Sequence, residues 1–145
     1  MYSIFISQLS ADVLSQLRGS LLQIWVAEES RIMIKRLNHL LAQITKTSQW
    51  IDLIPQVLSN TNEADENKVE GSLNLIEIVS DYSEEYVGNY MQPVLAFIAK
   101  YLSSSSEIVQ KAAARSICGC IVNCEDPSTQ DSFKPALPLI LQVRI

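Results

Sequence analysis

The sequence predicts an all-α solenoid, a stack of helix pairs repeated about three and a half times. Three observations predict it. Apolar residues recur with helical period along almost the whole chain, and no window alternates for long with the period of a strand. Polar breaks divide that pattern into segments of helix length. One phrase also recurs: "DLIPQVL" at 52–58, "NYMQPVLAF" at 89–97 and "PALPLILQV" at 135–143 each set a proline ahead of a short aliphatic run. These prolines, Pro55, Pro93 and Pro138, are separated by 38 and 45 residues.

The first pair covers about 10–45. Ser10 is placed to cap a helix whose stripe is Val13, Leu14, Leu17, Leu21, Ile24 and Trp25. A second helix restarts at Ser30 and carries Met33, Leu37, Leu40, Leu41 and Ile44. The gap between them is a few residues, which predicts an antiparallel hairpin. In the second pair, about 49–80, Ser48 is the expected cap, and Trp50, Ile51, Leu53, Ile54, Val57 and Leu58 form the apolar face. After the polar break "TNEADENK", its second helix carries Val69, Leu73, Ile76 and Val79.

The third pair, about 86–123, joins "EEYVGNYMQPVLAFIAKYL" to "SSSSEIVQKAAARSICGCIVN", with Ser106 at the second start. "EDPSTQDS" breaks the chain again, and 131–145 reads as an unpaired helix. First helices start near 10, 49, 86 and 131, and second helices near 30, 65 and 106. Steps of roughly 35 to 45 residues fit the HEAT and armadillo class and exceed the tetratricopeptide period.

The second helices overlay as Met33-Leu37-Leu40-Ile44, Val69-Leu73-Ile76-Ser80 and Val109-Ala113-Ser116-Cys120. Each set lies on one helix face, so Leu37, Leu73 and Ala113 are expected in a shared buried seam. The three prolines are expected to bend or break the first helices at equivalent places. A proline inside a helix removes a hydrogen bond and clashes with the preceding turn.

At 145 residues the chain is long enough for a sizeable core, and 48% of it is apolar. Its net charge of −5 argues against nucleic acid or an anionic membrane as the main partner. No apolar run approaches the roughly 20 residues that span a bilayer. "MYSIFIS" lacks the basic leader of a signal peptide. Cys118, Cys120 and Cys124 are too closely spaced for a disulfide framework or a standard zinc pattern, which predicts a reducing compartment. Cys118 and Cys120 are expected as small core residues. His39, the single histidine, has no second histidine to join it in a metal or acid–base site. With no phosphate loop, nucleophile elbow or paired carboxylates, the chain is expected to bind no cofactor or metal and to catalyse nothing.

The candidate functional residues lie opposite the core on the second helices. They are Arg31, Lys35, Asn38 and His39, then Glu70, Asn74 and Glu77, then Gln110, Lys111 and Arg115. Stacking would align them into an inner ridge, basic then acidic then basic, able to contact a protein partner. For any single residue the alternative is a solvated face with pairs four residues apart.

"EIVQKAAARSICGCI" at 107–121 resembles the second helix of a HEAT repeat, although Gln110 stands where an arginine is usual. "QWIDLIPQVLSN" followed by "EGSLNLIEIVSDYSEEYVGNYMQPVLAFIAKYLSSSSEIVQKAAARSIC" resembles the N-terminal third of importin-β (karyopherin-β) receptors, over about residues 10–140. It looks closest to the branch that imports ribosomal proteins and histones. The resemblance implies a module of a nuclear import receptor, present in cytoplasm and nucleus, with protein partners and neither direct nucleic-acid contact nor membrane insertion. It implies that the second-helix surface binds the GTPase Ran and cargo, and that the first-helix surface binds the phenylalanine-glycine repeats of nucleoporins. Such receptors carry many more repeats, so the chain looks like a fragment or short form, with an apolar end expected to self-associate. The competing reading is a HEAT-repeat scaffold unrelated to nuclear transport. Its tubulin-binding variety would need basic, aromatic loops, whereas "TNEADENK" and "CEDPSTQDS" are acidic or polar.

Overall fold

The computed structural model describes residues 8–82, 90–124, 126–131 and 133–142, and every regular element among them is helical. Helix α1 (Ala11–Ala27) opens at Ser10, whose hydroxyl accepts the Val13 amide at 3.3 Å. Helix α2 (Arg31–Ser48) opens at Ser30, which accepts the Met33 amide. There follow α3 (Leu53–Asn60), α4 (Glu66–Tyr82), α5 (Met91–Leu102) and α6 (Glu107–Asn123), the last capped by Ser106 on the Val109 amide. The helix start expected near 86 lies outside the described residues.

Ser48 is not a cap. It ends α2, and Gln49, with φ 55° in the left-handed region, stops that helix. The hydroxyls of Thr45, Thr47 and Ser48 each donate to the carbonyl four residues back, so this polar stretch continues the helix instead of starting the next. Arg18 of α1 then donates to the Ser48 carbonyl at 2.7 Å, satisfying a group the helix end leaves open, and stacks 5.5 Å from the Trp50 ring centre.

The repeated proline phrase marks helix starts, not bends. Pro55 and Pro93 are the third residues of α3 and α5. First-turn amides have no partner within the helix, so a proline there removes no hydrogen bond. Among the described residues, the segment expected as one helix over 131–145 is not continuous: α7 (Pro127–Asp131) ends where it begins, and a 3₁₀ turn (Lys134–Ala136) leads into α8 (Leu137–Leu141), with Pro135 inside the turn and Pro138 second in α8. Phe133 anchors this end in the core, whereas Leu137 and Leu141 are 48% and 85% exposed.

The second helices α2, α4 and α6 pack along one another in that order, and α5 packs on α6. Two of the three overlaid sets, Val69-Leu73-Ile76-Ser80 and Val109-Ala113-Ser116-Cys120, are buried throughout. The first set is displaced by one residue. Its buried face is Ile34-Asn38-Leu41-Thr45, while Met33 is exposed and Leu37 only partly buried. Likewise, Val13 and Ile24 of the α1 stripe and Ile51 of the second pair face solvent. The seam residues Ile34, Val69 and Val109 therefore recur at steps of 35 and 40 residues.

Candidate interaction surfaces

The second-helix face is built from pairs that cross the seams. Arg31 and Lys35, one turn apart on α2, converge on Glu70 of α4. Arg31 makes a two-pronged contact, 2.7 Å through Nε and 2.9 Å through Nη2, and Lys35 Nζ lies 3.0 Å away. The Glu70 side chain is only 4% exposed, against 48% and 37% for its two partners. Burial pushes the Glu70 carboxyl up, but the hydrogen bonds from Arg31 and Lys35 hold it below the usual carboxylate range.

Asn38 is not on the open face. It is fully buried, and its Oδ1 accepts the Trp25 indole N–H at 2.8 Å. Its Nδ2 donates to the Gly71 carbonyl at 2.8 Å and to Asn74 Oδ1 at 2.9 Å. Four polar groups from α1, α2 and α4 are thereby satisfied together, which is what permits an asparagine in the core. Across the next seam the Ser116 hydroxyl donates to the Leu73 carbonyl. Lys68 is buried too, donating to the Trp25 carbonyl with its ammonium 4.8 Å from the indole centre, and burial lowers its pKa.

Of the remaining candidates, Gln110 donates to the Leu102 carbonyl at 2.9 Å and so closes the end of α5. Lys111 pairs with Glu107 one turn earlier at 2.7 Å. Glu77 is half-buried between α4 and α6. Burial pushes its carboxyl up, and the charge of Arg115 on α6 pulls it down by a smaller amount. Arg115 and His39 are exposed. The ridge thus divides into Asn38, Glu70 and Gln110, which serve the fold, and Arg31, Lys35, Glu77, Lys111 and Arg115, which keep charged surface in reach of solvent.

The first-helix face carries a groove of about 490 Å³ between α3 and α5. Its floor is Pro55, Leu58, Pro93, Ala96 and Phe97, and Glu63 and Lys100 stand in its wall. Pro55 and Leu58 occupy positions in α3 equivalent to those of Pro93 and Ala96 in α5. Glu63 Oε1 accepts from Lys100 Nζ at 2.7 Å and from the Tyr101 hydroxyl at 2.6 Å. These bonds hold the Glu63 carboxyl below its usual range. Tyr101 in turn meets Phe97 edge-on, with ring centres 5.1 Å apart. None of these residues was among the sequence candidates. The recurring proline phrase carried the signal, since it places like residues at like positions of neighbouring first helices.

A protein-family model described as IPO5-like, TPR repeats matches residues 26–144. The chain belongs to that family. The matched stretch takes in α2 to α8, so the stacked second helices and the groove both lie within it. This IPO5-like chain is an importin-β-like region of helical repeats, and its family is one of repeat modules, not of enzymes. Comparison with curated proteins and with solved structures gave no match.

Among the described residues of the IPO5-like chain, no group of histidine, cysteine or carboxylate side chains could hold a metal ion, and no helix is long and apolar enough to cross a membrane. Cys120 and Cys124 are buried, and burial pushes the Cys120 thiol up to about 12. Cys118 departs from the expected core role. It is exposed and lines a cavity of about 150 Å³ with Lys111, Ala114, Arg115 and Ile140.

Proposed function

We propose that this chain is a protein-binding module of a nuclear import receptor, of the branch that imports ribosomal proteins and histones, acting in cytoplasm and nucleus. The observation that carries this reading, beside the family, is the difference between the two faces. The second-helix face offers Arg31, Lys35, Glu77, Lys111 and Arg115, charges of both signs suited to the polar surfaces of Ran and of cargo. The first-helix face offers an apolar groove floored by two prolines and a phenylalanine. Such a groove suits an aromatic anchor flanked by glycine, whose missing side chain lets the peptide backbone lie close. On this reading the module binds proteins and has no catalytic role.

The test is binding of the purified chain to Ran loaded with GTP or with GDP, followed by titration calorimetry. Preference for the GTP form, weakened at least several-fold by Arg115→Glu, is the expected result. Equal binding to both forms, or none to either, would remove Ran from the reading. Indifference to Arg115→Glu would move its site off this face.

A further inference from the structure

We propose that Glu63 sets the charge selectivity of the first-helix groove, so that it takes an aromatic anchor with uncharged flanks and rejects one with acidic flanks. The inference rests on the reading of that groove as a site for phenylalanine-glycine peptides. The apolar floor is rimmed by two ionised side chains of opposite sign, Glu63 and Lys100. Left alone, the Lys100 ammonium would make the rim a receptor for carboxylates. It is instead held 2.7 Å from Glu63 Oε1, an oxygen that also takes the Tyr101 hydroxyl at 2.6 Å.

The carboxylate is held from the groove side by Lys100 and Tyr101, and the loop that carries it is tied to itself. On the chain side, the 61–65 loop is tied by Asp65 N to Asn62 O at 3.0 Å and Ala64 N to Asn62 Oδ1 at 3.1 Å. On the groove side, Tyr101 is braced by its edge contact with Phe97, a floor residue. The rim is therefore neutral as a pair but carries a positioned carboxylate. An acidic flank meets that carboxylate and a lysine already engaged. Removing the Glu63 charge reverses both conditions at once.

The test uses two fluorescent peptides of identical length, one with serines and one with aspartates flanking a Gly-Phe-Gly core, measured by anisotropy at low and high salt. The wild-type chain is expected to prefer the serine peptide. Glu63→Gln, which keeps an acceptor for Tyr101, is expected to shift the ratio of affinities towards the aspartate peptide by about 1.5- to fivefold, as expected for exposed charge pairs, and salt should shrink the shift. Lys100→Met, which leaves Glu63 unopposed, is expected to shift the ratio the other way, and so answers the question even if Glu63→Gln folds poorly. If both variants weaken the two peptides in equal proportion, Glu63 is only structural and this inference falls while the groove reading stands. If the wild-type chain binds neither peptide, the groove reading falls and takes the inference with it.

Discussion

At Gly71 the second helices α2 and α4 come close together, and replacing it with alanine puts a number on that closeness. A Cβ at Gly71 would lie 2.5 Å from Ile34 Cγ2 and 3.6 Å from Trp25 Cζ2. Ordinary carbon contacts sit at roughly 3.5–4.0 Å, so something must yield by about 1 Å. Ile34 is fully buried and β-branched, and in a helix such a side chain is held to one rotamer. Forcing a methyl into a filled core costs about 1–3 kcal/mol. Against this, alanine is a better residue than glycine inside a helix by about 0.5–1 kcal/mol. The net expectation is a change between about zero and about 2.5 kcal/mol of destabilisation.

Gly19 supplies the control, because it lies inside α1 with no atom within 4 Å of a built Cβ. Gly19→Ala keeps the helix gain alone and should stabilise by about 0.5–1 kcal/mol. Urea unfolding followed by far-UV circular dichroism should therefore separate the two midpoints by about 1 M, given slopes of about 1–3 kcal/mol/M for small proteins. Ile34→Leu removes the branch that collides, and in that background Gly71→Ala should cost less than in the wild type. Equal midpoint shifts for Gly19→Ala and Gly71→Ala would refute the close approach of α2 and α4.

Three further outcomes are expected. Leu73→Ala, at a fully buried seam position, should destabilise by about 2–4 kcal/mol, and a urea-unfolding change below about 0.5 kcal/mol would remove Leu73 from the seam. The Glu70 carboxyl titrates below its ordinary value in the folded chain, so its ion pairs stabilise above the ordinary glutamate range and are lost as pH falls through the lowered value. A series of urea midpoints from neutral to acid pH should thus fall more steeply for the wild type than for Glu70→Gln, and parallel curves would sink the assignment. With a thiol-reactive dye at pH 8, Cys118 should label rapidly in the native chain, while Cys120 and Cys124 wait for unfolding. Native labelling that survives Cys118→Ser at full rate would contradict the burial of the other two.

The helix pairs were legible because their signals are local. Ser10, Ser30 and Ser106 announce starts, and the sets at Val69 and Val109 show their buried faces as period alone. The first set misled because hydropathy counts Asn38 as a surface residue. Its burial depends on partners 13, 33 and 36 residues away, and no local pattern carries those. Ser48 misled for the converse reason: a serine both caps and, by bonding backwards, prolongs a helix. The same non-locality explains the ridge. Charge and spacing placed Arg31, Lys35 and Glu70 on one face, but nothing in the sequence said that they would neutralise one another across a seam. The groove was half visible, as a repeated phrase without a geometry.

The asparagine at the first seam also bears on how such an array can change over generations. Repeat arrays are commonly pictured as units that can be duplicated, lost or exchanged, since each unit touches only its neighbours. Here the two junctions carry different chemistry. At one, the Asn38 amide requires the Gly71 carbonyl and Asn74; at the other, the Ser116 hydroxyl requires the Leu73 carbonyl beside small alanines. A chain that lost α3 and α4 would bring α2 against α6, with neither Asn74 nor the Gly71 carbonyl to receive the Asn38 amide. Its own Trp25 would then hold half of a broken network. The two seams are therefore not interchangeable, and a deletion of that pair would take from Asn38 the side-chain partner that Asn74 supplies.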